Sequence, residues 1–263
     1  RPIGAAIFGH FGDRIGRRRT LIVTLTIMGL ATFAIALVPS YVQIGMWGAV
    51  LLTLFRFIQG IGVGGDWYVA EPPQRVAAVR AHYGLARDYF LFVGTLQPRK
   101  NVERIVDAYL RLPARLRDAF DVVVVGKEGW SAEGTVALLE KHAGTGVRWL
   151  QRVPDADLRP LYQGATAFVF PTLYEGFGLP VLEAFASQVP VLTSTVASLP
   201  EVAGDAACLV DPYDVDAIAE ALTRIADDRE YAAGRRARGL ARAREFTWDA
   251  CTARTAAVLL AMR

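Results

Sequence analysis

The stretch Phe168–Glu183, FVFPTLYEGFGLPVLE, decides how the chain is read. Its first residues form an apolar run closed by Pro171, the pattern of a strand buried on both faces of a parallel sheet. From Leu179 onward the composition is helical, so the residues between form a strand-to-helix turn, where open α/β sheets take their ligands. Gly176 and Gly178 let backbone approach a bound molecule, and the first N–H groups of the following helix lack intrahelical acceptors, leaving them open to an anion or to hydroxyls. Glu175 and Glu183 flank the turn with seven residues between them. One acid stands on the loop and the other just over a turn inside the helix, so both can face one bound molecule. Carboxylates accept hydrogen bonds from hydroxyl groups, which suits a sugar.

Outward from this turn, the chain from Asp88 alternates short β-rich runs with helical ones. Tyr89–Val93, Val122–Val125, Val147–Leu150, Ala167–Phe170, Val191–Ser194 and Cys208–Val210 read as buried strands, with helix-length segments between most of them. The fold class is α/β, a Rossmann-like doubly wound parallel sheet. Three motifs in order carry a family resemblance. EGFGLPVLEA (Glu175–Ala184) resembles the donor-site motif of the retaining, family-four type of GT-B glycosyltransferases. FVGTLQPRKN (Phe92–Asn101) resembles the first strand and phosphate loop of that family's donor domain, and SLPEVAGDAACLVDP (Ser198–Pro212) its closing loop and last strand. The resemblance runs from about Val69 to Arg263.

In the loop GTLQPRKN, Gly94 permits a close backbone approach, Pro98 stiffens the turn, and Arg99 and Lys100 set two cations ahead of a helix N-terminus. Cleaving a sugar–nucleotide bond leaves a diphosphate with growing negative charge. Cations aimed there stabilise the transition state, each by ~3 kcal/mol if they act like oxyanion-hole donors. The plainer alternative is that Arg99 and Lys100 merely solvate a loop. The resemblance implies that Glu183 binds the nucleotide's ribose hydroxyls and Glu175 a hydroxyl of the donor sugar. It further implies that Gly176, Phe177 and Gly178, with Leu179, hold sugar and phosphate through backbone, and that Arg99 and Lys100 hold the diphosphate. Val153 and Pro154 fall where the family places main-chain contacts to the base. Catalysis would then rest on Glu175, Arg99 and Lys100. The donor would be a GDP- or UDP-linked hexose, mannose- or glucose-like, with GDP slightly favoured, and the acceptor a glycan or lipid. No cofactor and no metal is implied, since GT-B enzymes generally release the diphosphate without one. The segment Thr247–Met262 resembles the terminal helix that in this family returns to the other domain.

Other features exclude alternatives. Net charge is +3 over 263 residues, and the arginines of Arg224–Arg244 lack interleaved aromatics, so a solvated helix face is expected there rather than a nucleic-acid partner. Asp155–Asp157 and Asp214–Asp216 are Asp-x-Asp triplets of the kind that hold a divalent ion, yet both stand at the start of helical patterns, where aspartate is favoured as cap and first-turn residue. His10, His82 and His142 show neither ligand spacing nor a nucleophile partner. Cys208 and Cys251 make no disulfide framework, which points to a reducing compartment.

The 53% hydrophobic content is concentrated at the front. Leu21–Val38 is eighteen residues without a charge, and a second apolar run follows Pro39–Ser40 to Gly65, interrupted by Arg56. Such lengths suit two membrane helices in a hairpin. Arg14, Arg17, Arg18 and Arg19 place the preceding loop in the cytoplasm, with residues after Gly65 emerging on the same side. GHFGDRIGRRRTL (Gly9–Leu21) and RFIQGIGVGG (Arg56–Gly65) resemble signatures of the major facilitator superfamily, covering its second to fourth helices. Gly60 and Gly64 read as a helix-packing face rather than a dinucleotide loop. Arg56, inside an apolar run, needs a partner or a functional reason.

The expected organisation is therefore truncated membrane helices over 1–66, a linker and lead-in helix over 67–87, and a donor-binding domain over 88–263. The chain begins at Arg1 and reads as a piece of a longer frame, with a transporter remnant where the family carries its acceptor domain. That makes a separate acceptor domain a further candidate partner, and leaves open whether the chain turns over alone. The expected location is the cytoplasmic membrane, held through residues 1–65, with the donor domain on the cytoplasmic side. Two readings compete with a glycosyltransferase: a transporter fragment bearing a passive cytoplasmic domain, and a nucleotide-sugar-binding module without catalysis.

Overall fold

Strand burial settles the architecture first. In the computed structural model, which describes residues 70–247, 250–252 and 257, Ala167–Phe170 and Val191–Ser194 are buried at every position. A sheet with one wet face alternates, whereas continuous burial requires cover on both faces. The chain divides between Asp66 and Trp67, and the sheet belongs to the second unit. The membrane spans expected over 21–38 and 42–65, the arginine loop, and most of the helix expected over 247–262 lie outside the described residues. Among the described residues, no helix is long and apolar enough to cross a membrane.

Six parallel strands run β1 (Asp88–Val93), β2 (Phe120–Val125), β3 (Val147–Leu150), β4 (Ala167–Phe170), β5 (Val191–Ser194) and β6 (Cys208–Val210), in the order β3-β2-β1-β4-β5-β6. This is the doubly wound arrangement expected from the sequence. The order reverses between β1 and β4, which pair through Phe90 with Ala167 and Leu91 with Phe168. A reversal parts the loops at the carboxyl ends and opens a crevice there. The helices are α1 (Pro73–His82), α2 (Val102–Arg111), α3 (Ala114–Ala119), α4 (Glu133–Lys141), α5 (Asp155–Gln163), α6 (Leu179–Ala186), α7 (Leu199–Ala203), α8 (Val215–Asp227) and α9 (Arg229–Ala243). Helix α2 packs against α4 and α8, α6 against α7 and α9, and α1 along α5.

The core is aromatic at its centre. Phe92 stacks on Phe170 at 5.8 Å, Phe168 on Phe170 at 5.4 Å, and Tyr162 of α5 leans on Phe168 at 5.1 Å. Each fully buried side chain of this size contributes about 2–3 kcal/mol of apolar burial. At the entry to β2, buried Asp121 is matched by Arg87 at 3.4 Å and Arg148 at 3.7 Å. Where β1 and β2 end, a Cβ on Gly126 would lie 2.0 Å from the Gly94 carbonyl oxygen, so only glycine lets these loops touch. The arginines of α9 depart from the solvated face expected. Arg242 donates to the carbonyls of Glu201 and Val202 at the end of α7, and Arg235 to those of Asp205 and Ala207, while Arg236 and Arg238 are exposed. A guanidinium carries several donors in a fixed fork and can hold two such carbonyls at once, where a lysine has one ammonium to offer.

Candidate functional site

The loops after β1 and β4 stand on either side of the reversal. After β1, Pro98–Lys100 form a 3-10 turn and Asn101 adopts φ 61°, ψ 32° as the residue before α2. Left-handed backbone is costly for most residues and least so for asparagine after glycine. Its buried Nδ2 donates to the carbonyls of Pro171 at 2.8 Å and Pro212 at 2.7 Å, and its Oδ1 accepts from Arg104 at 2.7 Å. One side chain thus ties together the loops after β1, β4 and β6. Leu173 N–H donates to the Arg99 carbonyl at 2.8 Å, a second tie between the first two.

Inside this frame, Lys100 is buried, with its Nζ 4.9 Å from the centre of the Phe170 ring and 2.6 Å from Glu175 Oε1. Arg99 Nη1 reaches the same oxygen at 3.0 Å and the Tyr174 carbonyl at 3.0 Å. The side chains of Lys100 and Glu175 are 9% and 11% exposed, so Lys100 is not a cation that merely solvates a loop. Two cations face one carboxylate, which leaves a local surplus of one positive charge where an anion is expected to bind.

The turn between the two acids is fixed by Gly178 and Ser198. Gly178 has φ 99°, and a Cβ there would meet Leu199 at 2.7 Å. By contrast a Cβ on Gly176 would meet nothing within 4 Å, so the protein's own packing does not require glycine there. Ser198 Oγ lies 2.9 Å from the Glu175 carbonyl and 3.1 Å from that of Phe177, so its hydroxyl can latch the turn from the loop after β5. Phe177 and Leu179 are exposed, Phe177 meeting Phe246 edge-on at 5.9 Å. Helix α6 starts at Leu179 with Pro180 in its first turn, which removes one of the N–H donors expected to be free there.

Glu183, inside α6, sits in a different medium. Burial raises its carboxyl above the ordinary range, and a hydrogen bond from Tyr162 opposes that rise in part. The Tyr162 hydroxyl donates at 3.2 Å to Oε2, and full burial beside that carboxyl holds the phenol well above its ordinary value, so it stays a donor. Tyr162 belongs to α5, which begins directly after half-buried Val153 and exposed Pro154. Gly94 lies at the end of β1, where a Cβ would be 3.3 Å from the Phe92 ring, a tight fit rather than a forbidden one.

The Asp-x-Asp triplets fill helix starts in two ways. Asp214 caps α8, accepting from Ala217 N–H at 2.9 Å, and Asp216 pairs with Arg111 at 2.6 Å. Asp155 and Asp157 lie in the first turn of α5, but its cap position is Pro154; Asp157 instead pairs with Arg75 and accepts from Tyr83 at 3.1 Å. Among the described residues, no three of His, Cys, Asp and Glu gather as a metal site. Sequence reasoning gave no role to Asn101, Ser198 or Tyr162. Only Asn101 carried a local signal, an asparagine directly ahead of a helix, since the partners of the other two are distant in sequence.

Comparison with known proteins agrees with the fold. Residues 83–241 match the family model described as glycosyl transferases group 1, and residues 1–70 match that of the sugar (and other) transporters. Over 190 residues, 72% of this chain and 50% of the relative, the sequence is 42% identical to the O-antigen chain mannosyltransferase B of Escherichia coli. At the front, 67 residues, 26% of this chain and 15% of the relative, are 57% identical to a putative metabolite transport protein of Haemophilus influenzae. Among solved structures, a sucrose-phosphate synthase from Thermosynechococcus elongatus aligns with TM-score 0.62 and 26% identity, covering 76% of this chain and 51% of that one. WaaG, a glycosyltransferase involved in lipopolysaccharide biosynthesis, aligns with TM-score 0.60 and 25% identity over 72% of this chain and 51% of its own. The chain spans about half the length of the mannosyltransferase it matches. It thus joins a transporter segment to a glycosyltransferase domain, two unrelated families in one sequence.

Proposed function

The chain belongs to the group 1 glycosyl transferases, and from that premise we propose that its second unit binds a nucleoside diphosphate hexose and presents it for transfer, with retention at the anomeric carbon, to a glycan or lipid acceptor. The observation that carries this reading is the meeting of Arg99, Lys100 and Glu175 at the reversal between β1 and β4, in the loop that leads into the helix bearing Glu183. The diphosphate takes its charge compensation from Arg99 and Lys100. Charge-assisted hydrogen bonds of this kind contribute about 1.5–3 kcal/mol each. Glu183 accepts from the ribose hydroxyls, Glu175 from a sugar hydroxyl, and the backbone of Gly176 to Leu179 closes on the hexose, with open space at Gly176. Val153 and Pro154 face the base. In transfer, the bond from the anomeric carbon to the diphosphate oxygen breaks, the bond to the acceptor oxygen forms, and the acceptor proton is released. The two cations neutralise the departing diphosphate, which is the service a divalent ion would otherwise give, so no metal is assigned.

Mannose is the hexose assigned, supported by the mannosyltransferase relative, and GDP is the carrier assigned with it, from the resemblance carried by Phe92–Asn101. Acceptor contacts are assigned to the half of such relatives outside the match. Residues 1–65 are assigned to the membrane, with the second unit on the cytoplasmic side, supported by the match of residues 1–70 to transporters and by relatives such as the inner membrane metabolite transport protein YhjE of Escherichia coli. Calorimetric titration of the chain with GDP, UDP and GDP-mannose tests the reading. GDP and GDP-mannose should bind one to one and tighter than UDP; a folded sample that binds none of them contradicts it, and leaves the domain passive.

A further inference from the structure

We propose that Glu175 is a counter-ion that competes with the diphosphate for Arg99 and Lys100, so that the site grips a donor carrying its sugar more firmly than the diphosphate left after transfer. This rests on the proposed function, in which the site takes a nucleoside diphosphate sugar. In the structure, Oε1 of Glu175 takes both cations, at 2.6 Å from Lys100 Nζ and 3.0 Å from Arg99 Nη1. Among the described residues, Lys100 Nζ has no other hydrogen-bond partner, only the Phe170 ring at 4.9 Å beneath it. An ammonium that is 9% exposed requires a counter-charge, and Glu175 is the one supplied.

A diphosphate entering this loop seeks the same protons. It must draw them from Glu175, or bind beside a carboxylate whose like charge repels it. The attached hexose changes that balance. Its hydroxyls donate to Glu175, giving the carboxylate partners of its own while the phosphates take the cations. Once the hexose has left, Glu175 has no hydroxyl to accept from and turns back to Lys100 and Arg99, against the product. The same side chain that recognises the sugar therefore promotes release of the diphosphate. The shape of the loop permits this exchange: Asn101 fixes the backbone on both sides, leaving the side chain of Glu175 to change partners.

The test is titration of the whole chain and its Glu175→Gln variant with GDP and with GDP-mannose. Removing the competing charge should tighten GDP by about tenfold, the size of one charge-assisted hydrogen bond, while GDP-mannose gains nothing or weakens. Glu175→Asp withdraws the carboxylate by one carbon–carbon bond, about 1.5 Å, keeps a charge near Lys100, and should fall between the two; it serves alone if the glutamine variant does not fold. GDP affinity that is unchanged or weaker in these variants overturns the inference and leaves the proposed function intact, because wild type still binds. Failure of wild type to bind either nucleotide overturns both.

Discussion

Glu175 and Glu183 belong to one turn, yet their surroundings are opposite. Glu175 faces two cations, one of them buried against Phe170. Glu183 accepts from a buried phenol, and burial raises its carboxyl above the ordinary range. The difference starts in β4. Phe170 carries Lys100, which carries Glu175, whereas Phe168 carries Tyr162, which carries Glu183. Two alternate residues of a single strand thus build one half that holds two cations and another that holds a carboxyl beside a phenol. The cationic half suits phosphate, and the carboxyl half suits hydroxyl groups.

The strongest way to break this division is at Asn101. Asn101→Ala leaves the carbonyls of Pro171 and Pro212 without their donor and places a Cβ residue without a polar side chain at φ 61°. It should cost about 3 kcal/mol in denaturant unfolding, with Asn101→Gly recovering about 1 kcal/mol of that by relieving the backbone. Equal losses in the two variants would show that the left-handed conformation is not part of the cost. Loss of the frame should also weaken diphosphate binding while leaving the Tyr162–Glu183 contact, and its pH signature, in place.

That signature provides the next test. The folded chain holds Glu183 protonated to higher pH than the unfolded chain does. The stabilisation associated with it is therefore complete below the ordinary carboxylate range and lost as pH rises through the raised value. Nucleotide affinity should move the other way, because ionised Glu183 accepts from ribose hydroxyls better than the acid does. Thermal unfolding and titration across that window should show both slopes in wild type and neither in Glu183→Gln. Glu183→Ala should weaken GDP and GDP-mannose alike, by about 2 kcal/mol or roughly thirtyfold. A loss confined to GDP-mannose would exchange the roles given to the two acids.

The two glycines between the acids give a smaller contrast. Gly178→Ala should destabilise by about 1.5 kcal/mol, from its positive φ and the approach to Leu199. Gly176→Ala should stay within about 0.5 kcal/mol of wild type in stability and yet weaken GDP-mannose, if the open space there belongs to the hexose. An equal stability loss at both positions would show that Gly176 serves the fold.

Much of this fold could be read directly from the sequence, and the limits of that reading are physical. Val147–Leu150, Ala167–Phe170, Val191–Ser194 and Cys208–Val210 are each expected as strands over the residues that form them, because buried parallel strands are written as short apolar runs. The starts of β1 and β2, at Asp88 and at Phe120 and Asp121, escape that pattern. A charged residue ends an apolar run, and only the structure reveals that Arg87 and Arg148 make Asp121 tolerable inside. In the site, the two acids and two cations are legible because their spacing within a strand–turn–helix unit fixes where they stand. Their pairing is not, since Arg99 and Glu175 lie 76 residues apart. Tyr162 and Ser198 act only through residues that folding brings to them. On α9, Arg235 and Arg242 look like their exposed neighbours until the carbonyls they hold are in view.

The central claim is that donor recognition is complete at the carboxyl edge of this one sheet. Every side chain assigned to it, from Arg99 and Lys100 to Glu175 and Glu183, falls between Trp67 and Arg263. That segment carries its own sheet and core, within the usual size of a folding unit. The direct measurement is calorimetric titration of residues 67–263, made alone, with GDP. The account predicts a folded protein that binds GDP within about threefold of the whole chain's affinity, a difference of under ~1 kcal/mol; a folded sample that binds none, while the whole chain does, contradicts it.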